Sequence, residues 1–556
     1  MLARRKFAAL RPLVVCLLLC LCGSVLAETV YDALPRNTLV AVRISQLEQL
    51  DQLVQPLAAT FGVDMPAVGD IAASIDGVDV GGDVAVGLLQ LGSRSYTPFV
   101  LLPVSDYKSF VLAGDGDAGL EYTPLTLAGE ELVASQRGRW ALVANPQKDK
   151  NQFGRIDVAT ATRIANQASS DSLVTLAITP QGVSELRSIA GSRSEAPYRT
   201  ASRRRSLANR KMNWTSLSDW EQRLTLYKAP LVQLCDKCDL IVMSADVDQQ
   251  QSVQLAIHLI PKEPQSIAET RLTLPAAEVA GQRHFAIAEG PWNSPWVQMG
   301  VQMYVEHFAT RSDDVGISYL SPSEFNNLRK SLLRTSDMIH SARALAITPQ
   351  QGQPSMCNTA LLVEVTNAEE FLAAVDDTMT EWNELVNNSR HTNDFVFESK
   401  AITVADRQGK RYSVDLPSAF REEDVPEVRE AMHKMYGRNG VLVADVLPVD
   451  ETHVLVSDLT DDLRDRLLSD IRQTEFQPVE NPAGWTFVLD PAALQDWQNQ
   501  VYEQVIGENA IGWKPKRLEC QNKVVVEVST QSPKLTIRST IPTDVVQAVG
   551  KLFRDK

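Results

Sequence analysis

Beyond its first thirty positions, the 556-residue sequence has no apolar run approaching the roughly 20 residues that a membrane-spanning helix requires. Histidine is scarce: seven lie scattered at positions 258, 284, 307, 340, 391, 433 and 453, and single histidines on strands or helices are usually structural. HExxH, GxSxG and Walker patterns are missing, which removes the zinc-hydrolase, nucleophile-elbow and P-loop readings that rest on a local motif. Positive charge is in deficit, with 54 Lys and Arg against 69 Asp and Glu and a formal charge of −15. A field of that sign repels polyanions, so general binding to nucleic acid or anionic membrane is not expected. Neither a cofactor nor a metal site is expected. Catalytic groups can still converge from distant segments, so an enzyme stays open as an alternative.

Cysteine is the other scarce residue. Three of the seven, Cys16, Cys20 and Cys22, fall in an N-terminal stretch, MLARRKFAALRPLVVCLLLCLCGSVLAET, that has the three parts of a secretory signal. Arg4, Arg5, Lys6 and Arg11 are its positive end, Leu13 to Cys22 its apolar core, and Val25-Leu26-Ala27 a small-residue cleavage site before Glu28. Residues 1–27 are expected to be removed on export to the periplasm or beyond, leaving no membrane span; a retained tether is the alternative. Losing four basic and no acidic residues takes the formal charge from −15 to −19. Cys20 and Cys22 each follow a Leu directly, which is not the small-residue pattern of a lipoprotein anchor. The exported chain keeps Cys235, Cys238, Cys357 and Cys520, and sequence does not choose among their three pairings. A Cys235–Cys238 disulfide, or free thiols, fits better than a thioredoxin-like site, which needs a helix starting at the motif where this chain has an apolar strand.

What the sequence does have is an echo. Cys238 to Glu263, CDLIVMSADVDQQQSVQLAIHLIPKE, returns as Cys520 to Asp544, CQNKVVVEVSTQSPKLTIRSTIPTD. Each opens with Cys on an apolar strand, turns through Gln and Ser, continues as an alternating strand and ends at Ile-Pro, the pattern of a β-hairpin. Val84 and Ala344 lie 260 residues apart, Phe110 and Phe371 261, Trp140 and His453 313, Pro180 and Pro491 311, and Cys238 and Cys520 282. Near-constant separations interrupted by steps are what two diverged copies with insertions give; reuse of common β-α units is the plainer alternative. The expected division is a signal over 1–27, a first copy over 28–275 with an insertion at about 181–237, and a second over 276–556 with an insertion at about 372–452. Helices are expected after the capping residues Ser45, Ser105-Asp106, Thr179-Pro180 and Thr366, the first with Leu47, Leu50, Val54 and Leu57 spaced by three and four.

The first insertion holds Arg199, Arg203, Arg204, Arg205, Arg210 and Lys211, followed by Trp214 and Trp220. Such a cluster would contact an anion or an acidic partner, with a solvated face as the plainer reading. Trp292, Trp296, Met299, Met303 and Tyr304 form the richest aromatic and Met-bearing stretch and would line an apolar pocket or partner groove, unless they simply pack the core. Gly114 to Gly119 spells GxGxxG, but a helix precedes it and a strand follows, the reverse of a phosphate cradle. Ser105-Asp-Tyr-Lys108 spells SxxK without the companion motifs of the penicillin-recognising enzymes and reads as a helix cap.

Leu34-Pro-Arg-Asn-Thr-Leu-Val-Ala-Val-Arg-Ile, the strand-then-cap turns at Val104-Ser-Asp and Val365-Thr-Asn, and the repeated hairpin resemble the large secreted proteins of planctomycete-type bacteria, families without an assigned activity. The resemblance covers most of the mature chain, implies export and architecture, and brings no catalytic residue with it. The fold class expected is α+β: two diverged copies of a largely antiparallel sheet with helices packed on one face. The function expected is non-enzymatic binding or scaffolding in the cell envelope or extracellular space, with a partner the sequence does not identify. A hydrolase of envelope or extracellular polymers and a carrier of an apolar ligand are the alternatives.

Overall fold

Thr-Leu-Val-Ala-Val-Arg-Ile is a β-branched, alternating run, and it forms strand β1 (Thr38–Ile44) in a computed structural model of the chain. The structure describes residues 29–63, 67–92, 95–127, 129–146, 154–168, 172–192, 228–262, 273–275, 281–292, 294, 297–302, 305, 322–350, 352–388, 396–416, 426–437, 440–473, 476–478, 484–506, 517–529 and 534–554. The fold is α+β, with antiparallel strands and helices in two units: residues 1–52 with 66–182, and residues 53–65 with 183–556. The signal stretch, the Arg cluster and Trp214 and Trp220 lie outside the described residues.

In the first unit β1 is followed by α1 (Leu47–Thr60), whose second half belongs to the other unit, and by α2 (Val68–Ala73), β2 (Val84–Gly92), β3 (Ser95–Pro103) and α3 (Tyr107–Ala113). Then come β4 (Thr123–Leu127), β5 (Glu130–Arg137), β6 (Trp140–Ala144), α4 (Val158–Gln167), β7 (Val174–Ile178) and the start of α5 (Pro180–Ser192). The strands pair in the order β7-β1-β2-β3-β6-β5-β4, antiparallel throughout. Side-chain caps start the helices: Asp106 accepts from Lys108 N at 3.0 Å for α3, and Asp157 from Thr160 N at 2.8 Å for α4. One face of this sheet is sealed, with Ala41, Ala85, Phe99 and Leu101 all at most 1 % exposed. Gly87 belongs there because a Cβ would meet the Phe99 ring at 2.5 Å and Val40 O at 2.4 Å.

The second unit contains α6 (Lys228–Lys237), β8 (Cys238–Val247), β9 (Val253–Pro261), β10 (Thr273–Pro275), β11 (His284–Pro291), α7 (Pro322–Asp337), β12 (Ile339–Ile347) and β13 (Thr359–Val365). It continues through α8 (Ala368–Asn388), β14 (Glu398–Val404), β15 (Arg407–Asp415), α9 (Pro426–Tyr436), β16 (Val441–Pro448), β17 (His453–Ser457) and α10 (Asp461–Gln473). It ends with β18 (Phe476–Pro478), β19 (Gly484–Leu489), α11 (Pro491–Ile506), β20 (Val524–Ser529), β21 (Leu535–Ile541) and α12 (Thr543–Arg554). Twelve strands pair antiparallel in the order β8-β9-β21-β20-β19-β11-β12-β13-β17-β16-β15-β14, and β10 pairs separately with β18. The region read as an insertion at about 372–452 is therefore structured, holding most of α8, the β14–β15 hairpin, α9 and β16.

Helices on one face only, as expected from the sequence, is wrong for this unit. Phe371 and Val375 of α8 pack on the side of Ala342, Val363 and Val454, while Leu463, Leu467 and Ile471 of α10 pack on the side of Leu345, Leu362 and Leu455. The cause is local: Leu361-Leu-Val and Val454-Leu-Val are apolar at consecutive positions, so both faces of β13 and β17 require cover.

The two echoed hairpins meet edge to edge. β9 pairs with β21, with Ile257 opposite Ile537 and the buried His258 ring Nδ1 3.1 Å from Thr536 Oγ1. Burial pulls the His258 imidazole down to about 4, with Lys534 and Arg538 adding to the effect. Its folded value lies below the ordinary 6.5, so the unfolded chain binds the extra proton. Stability at this seam is full above pH 6.5 and is lost as pH falls toward 4, by at most about 3 kcal/mol. His258→Gln is expected to remove this acid limb from a plot of unfolding free energy against pH; an unchanged limb assigns it to other groups.

Candidate functional site

Apolar side chains that a sheet would normally bury are the materials of the candidate site. In the first unit Leu176, Val42, Val86 and Val100 lie in one row across β7, β1, β2 and β3, and Ile178, Val40, Leu88 and Pro98 lie in the next. α1 and α2 cover one end of this face, where Leu47 and Ala72 pack with Ile44, Val84 and Leu102, and α3 covers the strip at Leu102, Ala141 and Val143. The rest is uncovered among the described residues: Val86, Leu88 and Tyr96 are 40 %, 36 % and 37 % exposed.

The second unit also has an apolar row that is covered only in part. Ala245, Leu255, Ser539, Val526, Phe487, Ala288, Ala344 and Leu361 form one row through β8, β9, β21, β20, β19, β11, β12 and β13. From β11 onward α8, Trp292 and Val297 cover it. Toward β8 it opens, with Leu255 40 %, Phe487 39 % and Met243 37 % exposed. The reverse side of the same strands carries Gln254, Glu527, Arg538 and Thr540, which is the ordinary solvent face. Open apolar area on an otherwise amphipathic sheet marks a recognition surface more often than an accident of folding.

Of the stretch singled out in the sequence, Trp292 joins the core: it stands edge-on to Trp485 at 5.9 Å, and its Nε1 donates to Ser336 Oγ at 2.8 Å. Met299 is half-buried on a helical turn, and Trp296, Met303 and Tyr304 lie outside the described residues, as do Arg199, Arg203, Arg204, Arg205, Arg210 and Lys211. Cys235 lies in the last turn of α6 and Cys238 opens β8, both buried and both free thiols. Burial raises both, Cys238 up to about 12, and Lys262 Nζ donates to Cys235 O at 2.9 Å. A thiol so raised is a poor nucleophile at neutral pH. Among the described residues no group of three or more His, Cys, Asp and Glu is placed to hold a metal ion.

A cleft of about 470 Å³ beside α12 is lined by Thr60, Arg517, Glu519, Asp544, Lys551 and Arg554 among others. Its walls are charged on both signs, and Lys551 pairs with Glu519 at 3.3 Å, so it suits no apolar cargo. Sequence reading missed the open faces. Their signal was present in Val40, Val42, Val86 and Leu88, but an apolar strand position reads alike whether a helix covers it or not.

No protein-family model matches the chain, and no curated protein or solved structure matches it.

Proposed function

We propose that the chain is an exported, non-enzymatic binding or scaffold protein of the cell envelope or extracellular space, built from two diverged copies of one α+β unit. Its ligand in this reading is a polypeptide that lays an apolar surface on the open sheet faces. The observation that carries the reading is the exposure of Val86, Leu88 and Tyr96 on a face whose rows through Val42 and Val40 are apolar. A strand surface without an enclosing cavity suits another protein surface better than a small apolar molecule. A formal charge of −15 disfavours an anionic membrane as the occupant.

The two-copy reading draws support from register. Leu101 pairs with Leu142 as Leu362 pairs with Leu455, and the separations are 261 and 313 residues, those of Phe110 to Phe371 and Trp140 to His453. Val42 pairs with Leu176 as Ala288 pairs with Phe487, and Leu176 to Phe487 is 311 residues, the separation of Pro180 and Pro491. The order β7-β1-β2-β3-β6-β5-β4 recurs as β19-β11-β12-β13-β17-β16-β15, with β14 added at the end.

Anilinonaphthalene sulfonate, a dye that fluoresces on apolar surface, tests whether the faces are open. Folded mature protein is expected to bind it saturably, and Leu88→Asp and Leu255→Asp, both at exposed positions, are each expected to reduce the signal. Absence of dye binding by the folded protein would show that the chain covers its own faces and would remove the reading.

A further inference from the structure

The cleft of about 470 Å³ beside α12 lies wholly in the second unit. Asp544, Gln547, Ala548, Lys551 and Leu552 recur along α12 at three and four, so they form one stripe about 12 Å long. The end of α1 closes the cleft from the other side. A Cβ on Gly550 would meet Thr60 O at 2.6 Å, so the helices approach this closely only over a glycine. Just past α1, the stem of Arg554 lies over Gly62, its Cγ 3.1 Å from the place a Cβ would take.

The lining carries three cations, Arg517, Lys551 and Arg554, and two carboxylates, Glu519 and Asp544. Both carboxylates are engaged. Glu519 pairs with Lys551 at 3.3 Å, and Asp544 accepts from Gln521 N at 2.7 Å, Asn522 N at 3.0 Å and Asn522 Nδ2 at 3.1 Å. The guanidiniums of Arg517 and Arg554 are left with no ion-pair or hydrogen-bond partner among the described residues. In a chain with 54 basic against 69 acidic residues, two cations on one cleft without an acid are out of keeping with the background. A guanidinium presents a planar fork of donors that matches the paired oxygens of a carboxylate or a phosphate.

We propose that this cleft binds a small organic anion, with its carboxylate or phosphate oxygens on Arg517 and Arg554 and its hydrocarbon part along Ala548 and Leu552. The volume falls within the roughly 300–1,000 Å³ of sites for small molecules. The negative field of the whole chain disfavours a polyanion, whereas one oxyanion held by two guanidiniums is a short-range contact. This site does not depend on the binding role of the open faces.

Isothermal titration calorimetry of the folded mature chain with citrate and with glycerol 3-phosphate tests the site and separates the two kinds of oxyanion. Saturable binding of at least one of them, one molecule per chain, is expected. Arg517 and Arg554 are both exposed, so Arg517→Gln and Arg554→Gln should each keep the parent's melting temperature. Each should weaken binding about tenfold, through loss of one charged hydrogen-bonding contact. Arg466→Gln, which removes an exposed cation of α10 outside the cleft lining, should leave binding unchanged. Failure of both probes to bind, an affinity indifferent to Arg517 and Arg554, or an equal loss on Arg466→Gln would overturn the proposal.

Discussion

Asp445→Ala is expected to destabilise the second unit by about 3–5 kcal/mol, the cost of stripping the partner from buried charge. Asp445, on β16, is 1 % exposed. Its carboxylate accepts from Arg411 Nε at 2.6 Å and Nη2 at 2.8 Å and from Arg464 Nη1 at 2.5 Å. The hydrogen bond to Asp445 is the largest cause that raises the Arg411 guanidinium, with Asp461 assisting. Asp461 and Asp465 also hold Arg464, but both are more than half exposed and screened by solvent. Without Asp445, two guanidiniums face each other in the interior. Urea unfolding followed through the second unit measures the loss, and a change below about 1 kcal/mol would show the network to be dispensable.

Phe110→Ala and Phe371→Ala are each expected to cost about 3–5 kcal/mol, the range for emptying a large aromatic site. Phe110 of α3 and Phe371 of α8 are 0 % and 3 % exposed, 261 residues apart, and each anchors the helix that follows its strand, β3 or β13. They belong to different units, so calorimetry is expected to show each variant lowering a different part of the unfolding profile. Two variants that lower the same part equally would mean the units unfold as one, and a loss below about 1 kcal/mol at either would show that its helix is not anchored there.

Much of the architecture was legible because the chain signals it locally. Pro180 and Pro491 each follow a strand and begin a helix, and Asp106 caps its helix through a side chain. Three features were not legible, each for a physical reason. The seam between β9 and β21 joins residues about 280 apart in sequence, and nothing in a hairpin states which edge it will offer. Arg464 sits in the highly charged Asp461-Asp-Leu-Arg-Asp-Arg run, which reads as a solvated helix, yet its side chain is 6 % exposed because Asp445 draws it inward. The connection between β12 and β13 is held by hydrogen bonds to α11, to the end of α9 and to Asp458 just past β17, so no contiguous motif announces it. The candidate faces fail for a related reason: Val86 and Val84 are alike in sequence, but only Val84 has α1 and α2 above it.

The central claim is that the open apolar faces receive another polypeptide. Site-specific photocross-linking in the producing cell, with a benzoylphenylalanine at Leu88, at Leu255 and, as a control on the polar side of the sheet that carries Leu255, at Thr540, tests it most directly. The account predicts one discrete intermolecular adduct from Leu88 and Leu255 and none from Thr540. Adducts confined to the chain itself, or an equal yield at Thr540, would contradict it.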